Sequence, residues 1–210
     1  MSLQVAIIPV TPFEQNCALI WNTETKKGAV IDPGGDVPRI VSAIEDSGVT
    51  VTDIFLTHGH IDHAGGASEL AAKLGVSITG PGIEDKFLLD GLEEHARQYG
   101  LAARNCVPET WLVEGDEISV GGVVFEVLHC PGHTPGHMVF VNREANFGVF
   151  GDVLFRNSVG RTDFAYGNGT ALISAITEKL LPLPDDFAFI CGHGAASTIG
   201  AERRSNPFIR

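Results

Sequence analysis

Long apolar runs are missing from this 210-residue, 22.3 kDa chain. The strongest, VAIIPV near the N-terminus and VVFEVL near residue 125, are far shorter than the about 20 residues a bilayer-crossing helix needs, so no membrane span is expected. MSLQVAIIPV carries neither a basic region nor a small-residue cleavage site, which gives no secretory signal and a cytoplasmic reading. Cysteine is scarce. Cys17, Cys106, Cys130 and Cys191 form no CxxC pair and read as reduced, mostly buried thiols rather than a disulfide framework. Positive charge is scarce too: 14 Lys and Arg stand against 26 Asp and Glu, and the net charge of −12 repels polyanions, so nucleic acid is not an expected partner. Neither a Pro- or Ser-rich linker nor a repeat interrupts the chain, which predicts one domain over residues 1–210.

What remains is an ordinary globular composition, 44% hydrophobic and 19% charged. A chain of this mass can hide roughly 70% of its extended surface on folding. Short β-rich runs predict strands at Leu3 to Val10, Cys17 to Trp21, Gly28 to Ile31, Ile54 to Thr57, Val123 to Leu128, Met138 to Val141, Phe147 to Phe150 and Phe187 to Ile190. Three- and four-residue apolar spacing predicts helices at about Val37 to Ser47, Gly66 to Leu74, Glu84 to Tyr99 and Thr170 to Leu180. Strands and helices interspersed in this way imply sheets covered by helices. NSVGRTDFAYGNG, Asn157 to Gly169, reads as a long surface loop able to touch a substrate.

The chemistry concentrates in THGHIDHAGG, which follows the apolar run DIFL and sets His58, His60, Asp62 and His63 at a strand end. Residues two apart on an extended backbone point the same way. His58 and His60 can therefore hold one metal while Asp62 and His63 turn toward a neighbouring position. Imidazole and carboxylate donors suit zinc, with iron or manganese as substitutes, and four such polar groups would be costly to bury without a cation.

This HxHxDH signature, followed in order by His133 in HCPGHTPGH, Asp152 in FGD and His193 in CGHG, resembles the metallo-β-lactamase superfamily over nearly the whole chain. The resemblance implies an αββα four-layer sandwich of two mixed sheets with helices outside. It implies one zinc ion on His58, His60 and His133 and a second on Asp62, His63 and His193, with Asp152 bridging them. It also gives Asp32, in VIDPGG, an outer role orienting the metal loop. VIDPGGD, VGRTDF and GHGAASTIGAERRSNPF are similar to glyoxalase II, the hydroxyacylglutathione hydrolases, in the short bacterial form without a C-terminal helical domain.

The activity implied is hydrolysis of a glutathione thioester, S-lactoylglutathione to D-lactate and glutathione, by a hydroxide bridging two metals, in a monomer. Asp62 and Asp152 are then the catalytic carboxylates, and Arg161 is the candidate for binding the glutathione carboxylates, ahead of Arg156 and Arg143. A thioester suits such a site better than an amide, because zinc also stabilises a departing thiolate. The alternatives are a persulfide dioxygenase using one iron and a metal-binding scaffold without turnover. His95, His129 and His137 are expected in packing or surface roles, and Phe13, Phe155, Phe164 and Tyr166 mainly in the core.

Overall fold

The computed structural model describes residues 3–209. The first half of the chain builds one sheet from β1 (Leu3–Val10), β2 (Gln15–Asn22), β3 (Lys27–Ile31), β4 (Thr50–Phe55) and β5 (Ser77–Thr79), in that spatial order. β1, β2 and β3 pair antiparallel, whereas β4 and β5 add in parallel. Parallel neighbours require a crossover, supplied by α1 (Val37–Ser47) and then by α2 (Ile61–Ala64) with α3 (Ala67–Leu74). α4 (Lys86–Asp90) and α5 (Leu92–Tyr99) follow a short 3-10 turn, Ile83–Asp85.

The second half builds a sheet in the order β13, β12, β9, β8, β7, β6. Its strands are β6 (Glu117–Val120), β7 (Val123–His129), β8 (Met138–Asn142), β9 (Phe147–Val149), β12 (Ala188–Ile190) and β13 (Ser197–Thr198). β9 and β12 pair in parallel and the other neighbours antiparallel, so both sheets are mixed. β10 (Leu154–Phe155) and β11 (Ser158–Val159) make a small separate ribbon. α6 (Gly169–Ala175) continues into a π-helical turn, Ile176–Leu180, and α7 (Ile199–Ser205) closes the order.

Successive side chains leave opposite faces of a strand, so a strand buried on both sides must be apolar throughout. In β2, Cys17, Leu19 and Trp21 pack with Ile40, Leu70 and Leu92 of the helices, while Ala18 and Ile20 join Phe125 and Phe140 of the other sheet. In β8, Val139 and Val141 pack with Leu172, Ile176 and Ile199, while Met138 and Phe140 face the first sheet. Three apolar layers thus separate helix, sheet, sheet and helix, the four-layer order that the resemblance implied. Each fully buried side chain of this size contributes about 1.5–3 kcal/mol relative to exposure.

Several expectations are corrected in detail. The helix read as continuous from Glu84 to Tyr99 is a 3-10 turn and two short helices broken at Gly91, and the helix read from Thr170 loosens into the π turn at Ile176. The loop read from Asn157 to Gly169 begins with the paired strand β11. The strand read as Ile54 to Thr57 starts earlier, at Thr50, and ends at Phe55, releasing Leu56 and Thr57 into the histidine-bearing loop. Among the described residues, no helix is long and apolar enough to cross a membrane. All four cysteines are buried and unpaired.

Candidate metal centre

Five strands deliver the polar residues to one rim of the sandwich. Asp32 follows β3, His58 and His60 follow β4, His133 lies in the loop after β7, Asp152 follows β9 and His193 follows β12. Asp62 and His63 sit on α2, directly behind the β4 loop. The close approach of the VIDPGG loop explains its glycines: a Cβ on Gly34 would lie 1.5 Å from the carbonyl oxygen of Asp62. On the opposite side, a Cβ on Gly192 would lie 2.0 Å from Asp152 Oδ1. Side chains there would occupy the space the polar groups need.

Each of the five histidines has one ring nitrogen turned outward to a fixed partner. Asp32 Oδ2 accepts from His63 Nδ1 at 2.9 Å, and also from the Thr57 hydroxyl at 2.6 Å. That leaves the Thr57 oxygen to accept from His58 Nδ1 at 3.1 Å. The Arg161 carbonyl accepts from His133 Nδ1 at 2.8 Å, and the Phe13 carbonyl from His193 Nδ1 at 3.1 Å. His60 is reversed, with its Nε2 paired to the Tyr166 hydroxyl at 2.8 Å.

With the hydrogens outside, the inward nitrogens of His58, His60 and His133 present lone pairs to one another, while those of His63 and His193 face the Asp62 and Asp152 carboxylates. His60 Nδ1 lies 3.1 Å from His58 Nε2 and 2.9 Å from His133 Nε2. His193 Nε2 lies 3.1 Å from Asp62 Oδ2, which is 3.8 Å from His63 Nε2. Asp152 spans the two clusters, with Oδ1 3.4 Å from His63 Nε2 and Oδ2 3.5 Å from His133 Nε2. Both His63 Nε2 and Asp152 Oδ1 are buried without a hydrogen-bond partner. A buried polar atom without a partner is costly, and converging acceptor lone pairs repel, so this donor set fits divalent cations. Among the described residues, the groups able to hold an ion are His58, His60 and His133; Asp62, His63 and His193; and Asp32, His58 and His63. In the last of these Asp32 is already occupied by three hydrogen bonds, from Thr57 twice and from His63.

The metal-free electrostatics divide the histidines. Burial and neighbouring imidazoles hold His58 well below its ordinary range, and burial with His133 beside it takes His60 down to about 3. Burial also lowers His133. Burial opposes the charge on His63 and His193 as well, but the Asp152 and Asp62 carboxylates outweigh it and raise both. Asp152 is the complement: burial alone would raise it, yet His63, His133 and His193 hold it far below the carboxylate range.

Phe13, Phe155, Phe164 and Tyr166, expected mainly in the core, line a cleft of about 820 Å³ that opens onto His60, Asp62, His133, Asp152 and His193. Phe13 is 42% exposed, which places it on the rim rather than in the interior. His95, expected in a packing or surface role, lines the cleft as well. His137 accepts the Asp152 backbone N–H at 3.0 Å and so anchors that residue. His129 is tied to the Pro135 carbonyl. Arg161 stands at the cleft with its guanidinium held by both Asp163 oxygens and lying 4.5 Å from the Phe164 ring centre. Arg143 pairs with Glu126, and neither it nor Arg156 lines the cleft.

Comparison with known proteins agrees with this architecture. The model of the metallo-β-lactamase superfamily matches residues 10–193. A hydroxyacylglutathione hydrolase of Haemophilus influenzae, GloC, is 47% identical over 209 residues, which are 99% of this chain and 98% of that protein. Among solved structures, the BLEG-1 B3 metallo-β-lactamase superposes with a TM-score of 0.89 at 30% identity, covering 99% of both chains. A protein crystallised in a di-iron-bound form superposes with a TM-score of 0.87 at 35% identity, covering 97% of this chain and all of its own. With its ordered polar residues gathered at one rim of a four-layer sandwich, this chain belongs to the metallo-β-lactamase superfamily.

Proposed function

We propose that the protein is a metal-dependent thioester hydrolase acting on hydroxyacylglutathiones, with S-lactoylglutathione as the test substrate. The observation that carries the reading is the arrangement of five histidines, each with one nitrogen anchored outward and the other facing a neighbouring imidazole or a carboxylate of Asp62 or Asp152. The similarity to GloC over almost the whole of both chains supports the substrate class. His58, His60 and His133 would hold one divalent ion and Asp62, His63 and His193 a second, with Asp152 reaching both. Zinc is the metal favoured by the donor set, and the di-iron relative keeps iron in contention. A single small-molecule substrate and a monomeric, cytoplasmic enzyme of one domain complete the reading.

Ions held there would supply Lewis acidity, lowering the pKa of water and stabilising charge on a carbonyl oxygen. The chain's residues do the remainder. Asp62 and Asp152 are carboxylates held ionised by the surrounding imidazoles, able to accept a proton-bearing contact from a water molecule and orient it. Asp32, Thr57 and the Arg161 and Phe13 carbonyls fix the imidazole rings before substrate arrives, so little reorganisation is needed during reaction. Phe155 and Phe164 line the cleft with apolar surface that displaces water around the thioester. Arg161 is placed to meet a substrate carboxylate only by sharing or leaving Asp163.

The Asp62, His63 and His193 group could hold a second ion, so the number of ions per chain separates this reading from the one-iron alternative. The test is release of glutathione thiol from S-lactoylglutathione, alongside elemental analysis of the same preparation. Two ions per chain with thiol release supports the reading; two ions with the thioester left intact rejects it. Turnover lost in Asp152→Ala would also separate an enzyme from a scaffold.

A further inference from the structure

Asp85 is a carboxylate that the proposed chemistry does not use. It is fully buried at the end of the 3-10 turn Ile83–Asp85, and its two oxygens accept three hydrogen bonds. Oδ2 takes the Gly59 N–H at 2.9 Å and the Thr134 hydroxyl at 2.7 Å, and Oδ1 takes the Gly136 N–H at 2.6 Å. Gly59 lies between His58 and His60, on the loop leaving the first sheet. Thr134 follows His133, and Gly136 belongs to the same loop between β7 and β8 of the second sheet. One side chain therefore ties together the two loops that carry His58, His60 and His133.

The fit leaves little play. The Gly82 N–H also donates to the Gly136 carbonyl at 2.9 Å, and a Cβ on Gly136 would lie 2.7 Å from the Gly82 carbonyl oxygen. A Cβ on Gly59 would lie 2.8 Å from Leu88 Cβ. The second cluster has other supports: Asp32 on His63 and the Phe13 carbonyl on His193. Burying a carboxylate is costly unless its lone pairs are satisfied, and three donors from two loops satisfy this one.

We propose that Asp85 is a positioning residue that sets the spacing of the His58, His60 and His133 nitrogens by clamping their two loops together. The proposal rests on the metal reading above. Tetrahedral zinc with ligand nitrogens at about 2.0–2.1 Å needs them roughly 3.3 Å apart, so a loop slipping by about half an ångström weakens that ion more than the second, whose rings also rest on Asp32 and the Phe13 carbonyl.

The experiment is zinc titration of the full, chelator-stripped chain against a chromophoric competitor, with the absorption spectrum of the cobalt(II)-substituted protein as a second readout. Asp85→Asn puts an NH2 group where an acceptor stood. The expected result is a folded protein with one affinity lowered about 10- to 100-fold, the other lowered less, and one part of the cobalt spectrum changed more than the rest. Thr134→Val removes one of the three bonds and is expected to give a smaller loss at the same ion. If Asp85→Asn does not fold, Thr134→Val decides the matter: unchanged affinities overturn the proposal. A folded Asp85→Asn protein with both affinities intact, or both lowered equally, also overturns it. A wild-type chain that takes up no divalent ion overturns instead the metal reading on which the clamp depends.

Discussion

His63 shows how much of this site is decided one atom at a time. Its Nδ1 is tied to Asp32, which fixes the ring and turns Nε2 toward Asp62 and Asp152. Removing Asp32 frees the ring and the Thr57 hydroxyl together. Asp32→Ala is therefore expected to lower metal affinity about 10- to 100-fold, read by chelator competition, and an unchanged affinity would contradict the outer role given to it. His60 depends in the same way on Tyr166, whose hydroxyl, with its pKa pushed up to about 12 by burial, stays protonated at neutral pH. Tyr166→Phe is expected to cost about tenfold in metal affinity or turnover, less than Asp32→Ala because the half-buried position admits water as a substitute. The buried cysteines beside the site behave differently. Burial pushes the Cys130 thiol up to about 12 and the Cys191 thiol up to about 11, which keeps them in the unreactive form and disfavours a redox role.

Elements rather than residues set the distance between the VIDPGG loop and α2. Gly34 contacts the carbonyl of Asp62 so closely that the smallest side chain must push the short helix away, carrying Asp62 and His63 with it. Gly34→Ala is expected to destabilise the fold by about 1–3 kcal/mol and to weaken metal retention, measured by thermal melting with and without chelator. A variant with unchanged melting and metal content would show that the loop yields freely. At this scale the sequence was most legible where one pattern dominated. Apolar runs buried on both faces announced β2, β3 and β8, and the spacing of Val37, Ile40 and Ile44 announced α1. It was least legible over residues 83–99, where helical periodicity continues through Gly91 but the chain must break to wrap the cleft and carry Asp85 inward. β6, with a Glu117 and Ser119 facing solvent and only Ile118 and Val120 inside, gives too short an alternation to stand out.

Across the whole molecule, the metal-free site makes stability depend on pH from both sides. His58, His60, His133 and His137 have folded pKa values below the ordinary 6.5, so the unfolded chain binds more protons as pH falls below about 6.5 and stability drops. His63 and His193 are raised, so their contribution is full below about 6.5 and is lost as pH climbs through their folded values. Asp85, raised to about 6 by burial, opposes the first group between its ordinary value near 4 and 6, one carboxyl against four imidazoles. In chelator, the melting temperature is therefore expected to peak near pH 6.5. Divalent metal competes with protons at His63 and His193 and should move the peak upward. A chelated protein whose stability rises steadily to pH 9 would contradict the assignment of raised values.

The sequence by itself determined the polar roster, because HxHxDH and the later His133, Asp152 and His193 are identities in order, and it determined that sheets are covered by helices, because fully apolar strands must be covered on both faces. Only the tertiary structure decided which nitrogen each histidine turns inward, since that choice belongs to partners such as Asp32, the Arg161 carbonyl and Tyr166 that lie far away along the chain. The same holds for Asp85: two of its three donors are backbone N–H groups, which every residue but proline carries, so no pattern of side chains could mark the meeting of those loops.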